Sequence, residues 1–332
     1  MSGGAAGGRF VRVDGVPLHV VVEDGGGAGD RGPVCVLSAG LAMAWFDWDE
    51  VAARLTAAGR TVVRFDRPGH GLSGPAGAPA TAAGEAHRIA ALLDALGPAV
   101  ADRPATVVGH SIAGFHAEAF ARLHPHRTAA LVLLDSSVEE HPPGWPARTP
   151  AAAALRTGAA RLLGRAATVA GLPAALGPAA RRATVRMSRT GGADPAPRDL
   201  VRRCYRTGRV WRGALLENAG YMDAAAEVLA LRGTRPLTAP ATVLAAYGGT
   251  LPAGLDPAGS GDRAAALRRA FAPGPGPSRG RTAPRWLTRQ AELADRLGAR
   301  LEVAERAGHL VMLDRPDQVA HAVLTAAAPA PG

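Results

Sequence analysis

Lysine is absent from this chain: all 38 basic residues are arginine, set among 42 glycines and 27 prolines. That bias fits a GC-rich coding sequence, so the net charge of +10 does not by itself imply a nucleic-acid partner. Aromatic residues make up 4% of the chain, too few for a base-stacking surface. Cysteine is scarce. Cys35 lies in a strand-like apolar run and Cys204 among arginines, which leaves no disulfide framework and no zinc site. No apolar run approaches the roughly 18–20 residues that span a bilayer. The opening MSGGAAGGRF has neither the basic nor the apolar region of a signal peptide. The expectation is a cytoplasmic protein with no cofactor, no metal, no membrane partner and no nucleic-acid partner.

The first part of the chain alternates. Runs at about 10–13 and 18–22 predict a hairpin around Asp14-Gly15. VCVLSA (34–39), RTVVRFD (60–66), ATVVGH (105–110) and TAALVLLD (128–135) read as buried strands. Helical patterns fall between them at about 46–58, 82–96 and 112–124. Such alternation predicts an α/β fold with a mostly parallel central sheet flanked by helices. The rhythm stops over residues 139–238, which are helix-prone and carry 16 arginines against 7 acids, net +9. It resumes with PATVLAAY (240–247), a helix over WLTRQAELADRL, a strand over ARLEVAE and a last helix from about 316. The predicted organisation is a core of 1–138 and 239–332 with a helical cap at 139–238. The Gly- and Pro-rich stretch 251–284 reads as a long flexible loop with one short helical centre. The cap arginines are spread along the segment, as expected of residues coating solvent-facing helices.

Chemistry concentrates at VVGHSIAG (107–114). A strand, a tight turn with small residues and a helix would lift the Ser111 hydroxyl above the carboxyl edge of the sheet. After the first central strand, Gly40-Leu41 can aim the Leu41 amide at a developing oxyanion, and the Ile112 amide gives a second donor. DRPGHGLS (66–73) reads as a compact structural turn. Late in the chain, ERAGHLVMLDRPDQV sets His309 between the last strand and the helix opened by Pro316, where chain order requires a base.

Taken together, Gly40-Leu41, Asp66 to Ser73, Gly109-His110-Ser111 and Gly308-His309 resemble the α/β-hydrolase fold superfamily, specifically an esterase-like serine hydrolase with a helical cap after the sixth strand. The likeness covers roughly 10–138, 240–250 and 285–327. It departs at Ala39, where relatives usually have histidine, and at Tyr247-Gly248-Gly249-Thr250, where most relatives carry the acid. The other position the fold uses is the end of the preceding strand, which here gives Asp135. Asp256 and Asp262 in the loop are the alternatives. The resemblance implies a Ser111–His309–Asp135 triad with Leu41 and Ile112 as backbone donors, acting on a small-molecule acyl substrate. Aspartate-dependent variants of the fold, the epoxide hydrolases and haloalkane dehalogenases, do not fit a serine at 111. Thioesterase, acyltransferase, amidase and lactonase activities stay open, as do an inactive binding protein and a nucleic-acid partner for the arginine-rich segment.

Overall fold

The Val-rich runs form the middle of an eight-stranded sheet: β1 (Arg9–Val13), β2 (Val16–Glu23), β3 (Val34–Ser38), β4 (Val62–Phe65), β5 (Ala105–His110), β6 (Thr128–Leu134), β7 (Ala241–Tyr247) and β8 (Arg300–Glu305). The computed structural model describes residues 8–25, 32–139, 149–252, 255, 262–271 and 285–327. Strand order is β1-β2-β4-β3-β5-β6-β7-β8. β2 pairs antiparallel with both β1 and β4, and all other pairs are parallel. β3 and β5 lie at the centre and every residue in them is buried, as strands covered on both faces must be.

The helices are α1 (Asp49–Ala57), α2 (Ala82–Ala95), α3 (Pro98–Ala101), α4 (Ala113–Leu123), α5 (Pro150–Val169), α6 (Leu172–Ser188), α7 (Arg198–Tyr205), α8 (Gly208–Ala219), α9 (Tyr221–Thr234), α10 (Arg263–Ala270), α11 (Arg285–Leu297), α12 (Val311–Asp314) and α13 (Pro316–Thr325). One face of the sheet packs Ile89, Leu93, Phe115, Phe120 and Leu293 from α2, α4 and α11. The other packs Val51, Leu55, Val319 and Val323 from α1 and α13. Five helices, α5 to α9, lie between β6 and β7, and no strand occurs in the described part of that stretch.

Two expectations need correction, and a third finds its helix. The helix expected at 46–58 opens as a 3-10 turn (Trp45–Trp48), because Asp47 turns back to accept from the Ala44 amide. A short helix, α12, intervenes between His309 and Pro316. Within 251–284, α10 supplies the short helix, while 253–254, 256–261 and 272–284 lie outside the described residues.

Nor do the arginines of 139–238 all face solvent. Arg181 on α6 is buried. Its guanidinium meets Asp47 of the core and donates from Nε to Asp194 Oδ2 at 3.1 Å. The rings of Phe46 and Tyr205 lie 5.7 and 5.4 Å from it. The Tyr205 hydroxyl in turn donates to Ala42 O at 2.6 Å. One cation therefore fastens α6 to the loop after β3, and its loss would strand two carboxylates away from water. Arg181→Met is expected to lower unfolding stability by about 3–5 kcal/mol, read as a shifted urea midpoint. A midpoint within error of the parent would reject this role.

Candidate active site

Ser111 sits where β5 turns into α4, with φ of 55°. That left-handed backbone is costly for a side chain and persists because neighbours fix it. Ser111 N–H donates to Leu134 O at 3.1 Å, and Ser111 O accepts from Gly114 and Ser137 amides. The turn also needs two glycines. A Cβ at Gly109 would run into the Ala113 carbonyl, and one at Gly114 into Ser136 Oγ. Small residues here allow β5, α4 and the end of β6 to pass closely.

The structure brings Ser111, His309 and Asp135 into one line. His309 Nε2 lies 3.0 Å from Ser111 Oγ, and His309 Nδ1 lies 2.6 Å from Asp135 Oδ2. Asp135 is buried and also has positive φ, 40°, which turns its carboxylate off the end of β6. Its other oxygen, Oδ1, accepts from Ala246 N–H at 2.9 Å and Trp286 Nε1–H at 2.6 Å. Asp262, one alternative acid, instead caps α10 by accepting from the Ala265 amide. Asp256 lies outside the described residues.

The histidine is held from two sides. His110 is buried next to His309, and burial followed by that neighbour's charge pushes its pKa well below the ordinary range. Kept neutral, His110 donates Nε2–H to His309 O at 2.8 Å. On the far side, Asp314 Oδ2 accepts from Gly308 N–H at 2.8 Å and Thr190 N–H at 3.0 Å. Asp314 Oδ1 accepts from Arg189 Nε at 2.8 Å. Partial burial alone would raise the Asp314 pKa; these donors bring it below the usual carboxylate value. The loop carrying His309 is thus tied to the end of α6.

Gly40 packs against Ser111 and His110. Among the described residues, neither the Leu41 nor the Ile112 amide donates a hydrogen bond, so both remain available beside the serine. Arg67 sets the Leu41 loop by donating to Ala39 O and to Gly40 O, the latter at 3.2 Å. Its fork continues to Glu217 on α8, Nε to Oε1 at 3.0 Å and Nη2 to Oε2 at 2.9 Å. Burial would raise the Glu217 pKa, but Arg67 and His70 reverse this and hold it well below the ordinary value. Turn 66–73 therefore buttresses the loop beside the serine as well as shaping the chain. An apolar cavity of about 230 Å³ opens from that loop, lined by Leu41, Met43, Tyr205, Val210, Trp211 and Leu215.

Sequence reasoning missed Trp286, His110, Arg189 and Asp314. His110 and Asp314 stand inside stretches already singled out, but nothing in those stretches marks the role each plays beside His309. Trp286 lies 151 residues from the carboxylate it serves.

Residues 32–207 match the family model described as alpha/beta hydrolase fold. Ser111 and Asp135 fall inside that match and His309 beyond it. Solved structures with the same fold include a thermophilic esterase from Thermogutta terrifontis, 19% identical, covering 96% of this chain and 97% of its own, with a TM-score of 0.60. The epoxide hydrolase CorEH is 17% identical over 97% and 99% of the two chains, TM-score 0.62. The thioesterase domain from the curacin biosynthetic pathway is 15% identical over 97% and 100%, TM-score 0.62. No curated protein matches the sequence.

His116, one turn along α4 from the serine, is wholly buried, and among the described residues neither ring nitrogen has a hydrogen-bond partner. Burial, then the charge of Arg67, pushes its pKa down to about 3. The unfolded chain binds this proton near pH 6.5 and the folded chain does not. Its contribution is therefore present in full above about pH 6.5 and is lost as pH falls toward about 3. Unfolding stability is expected to drop by about 2 kcal/mol between pH 6.5 and 5 from this residue. Urea titrations should show a flatter pH dependence for His116→Leu; an unchanged slope would refute the assignment.

Proposed function

The chain belongs to the alpha/beta hydrolase fold family, and we propose that within it this protein is a serine hydrolase acting on an ester or related acyl bond. The continuous line Ser111 Oγ–His309 Nε2–His309 Nδ1–Asp135 Oδ2, at 3.0 and 2.6 Å, carries this reading. Ser111 Oγ attacks the acyl carbon as His309 Nε2 takes its proton. Asp135 keeps Nδ1 protonated and stabilises the imidazolium, while the Leu41 and Ile112 amides receive the oxyanion. Collapse expels the alcohol with the proton from His309. Water, deprotonated by the same nitrogen, then attacks the acyl-serine, and the acid leaves as the serine recovers its proton.

The type of nucleophile separates this reading from epoxide opening. A carboxylate that attacks an epoxide becomes an ester, which water can cleave. A serine would become a stable ether and the enzyme would stop after one turnover. In this reading α5 to α9 act as a cap, and the 230 Å³ apolar cavity beside Leu41 takes a short apolar group of the substrate.

A fluorophosphonate probe should label the purified protein and fail to label Ser111→Ala. Asp135→Asn should cut p-nitrophenyl ester turnover by about 10³–10⁴-fold, with short acyl chains preferred over long ones. Labelling that survives in Ser111→Ala would overturn the nucleophile. A protein that neither labels nor turns over esters would be a binding member of the family.

A further inference from the structure

Seven of the eight large apolar side chains exposed among the described residues lie between Leu155 and Met187, on α5 and α6. They are not scattered. On α5 the exposed positions Leu155, Ala159, Leu162, Leu163, Ala166 and Val169 follow i, i+4, i+7, i+8, i+11 and i+14, one stripe along a helix of 3.6 residues per turn. The opposite face, at Ala160 and Gly164, is the one packed inward. α6 repeats the arrangement: Leu172, Leu176, Ala183 and Met187 face out, while Gly177, Arg181 and Val185 face in. Val169 and Leu172, on either side of the turn, join the two stripes. Exposure is large, at 76% for Leu155, 89% for Val169 and 79% for Met187. Soluble surfaces seldom present a continuous apolar stripe of this length without a partner.

Charge identifies the partner. No acidic residue occurs between Thr149 and Ala193. Three arginines there are engaged: Arg156 with Asp223, Arg181 with Asp47 and Asp194, Arg189 with Asp314. Arg165, Arg182 and Arg186 are exposed and form no ion pair among the described residues, while Arg161, also exposed, donates to Gly77 O at 2.6 Å. At 100° per residue Arg165 falls along one border of the α5 stripe, and Arg182 and Arg186 along one border of the α6 stripe. An apolar stripe edged with arginine and free of carboxylates suits an interface of acyl chains under anionic headgroups. A second copy of the same face would set arginine against arginine. Among the described residues no helix is long and apolar enough to cross a membrane, so the fit is to a surface.

We propose that the outer face of α5 and α6 docks the protein onto an anionic lipid surface. The proposal is independent of the reaction at Ser111. It also departs from the expectation of no membrane partner and from reading these arginines as a solvated coat. The test is co-sedimentation of the full chain with vesicles of phosphatidylcholine alone or mixed with phosphatidylglycerol. Pelleting is expected with the mixed vesicles, weakening as salt rises. Leu162→Glu/Val169→Glu should reduce partitioning about tenfold or more, and Arg165→Ser/Arg182→Ser should reduce both binding and its salt dependence. These side chains are at the surface, so the variants should keep the parent's thermal melt. Failure to pellet with mixed vesicles overturns the proposal, as does pelleting that the double-glutamate variant retains. A concentration-dependent dimer, abolished by that variant and without vesicle binding, would assign the face to a second copy instead.

Discussion

A carboxylate out of water must have its lone pairs satisfied, and much of this site is arranged around that requirement at Asp135. The residue closes β6 and is 2% exposed. Its oxygens draw in the Ala246 amide from β7, the indole of Trp286 at the start of α11, and the imidazole of His309 from the loop after β8. Three separate stretches of chain therefore meet at one side chain. With Oδ1 taken by Ala246 and Trp286, Oδ2 is left to His309, and this fixes the ring so that Nε2 faces Ser111. Backbone strain follows the same logic: positive φ at Asp135 and at Ser111 aims each group where a relaxed strand end would not.

The helices between β6 and β7 are fastened to the sheet domain by charge at four places among the described residues. Arg181 reaches Asp47, Glu217 receives the fork of Arg67, Arg189 meets Asp314, and Arg232 pairs with Glu118. Two of these end on loops that flank the serine, since Arg67 also holds the Ala39 and Gly40 carbonyls and Asp314 holds the Gly308 amide. Buried pairs add little net stability, but losing one partner is expensive, so they favour one arrangement over nearby alternatives. The position of the inserted helices and the geometry around Ser111 are thereby linked. Apolar packing alone, being non-directional, would not impose that link.

Legibility in the sequence tracked how local each feature is. The strands at 34–38, 62–65, 105–110 and 128–134 were readable because a strand covered on both faces must be apolar along its whole length. Ser111 could be placed at a strand–helix turn because the small residues needed for close passage lie within a few positions of it. His309 was legible only by its order in the chain. The 3-10 start at Trp45 was missed because it depends on Asp47 turning back to the Ala44 amide, and helix α12 because four residues are too few to show a helical period. The arginines were misread as one class. Sequence counts their charge but does not say that Arg181 turns inward while Arg165 and Arg182 turn outward beside leucine and methionine.

By itself the sequence determined the alternation of strand and helix, the break in that alternation after β6, the serine turn, and the excess of positive charge in one segment. These depend on periodicity, on steric permission at small residues and on composition, all of which act over a few neighbouring residues. Only the tertiary structure decided which acid meets His309, which groups hold that histidine, and which face of α5 and α6 is left bare. Those outcomes rest on contacts between residues more than a hundred positions apart, as with Asp135 and Trp286 or Arg67 and Glu217. Which side chains share a space is set by how the sheet twists and how the helices cross it, and no single stretch of sequence contains that information.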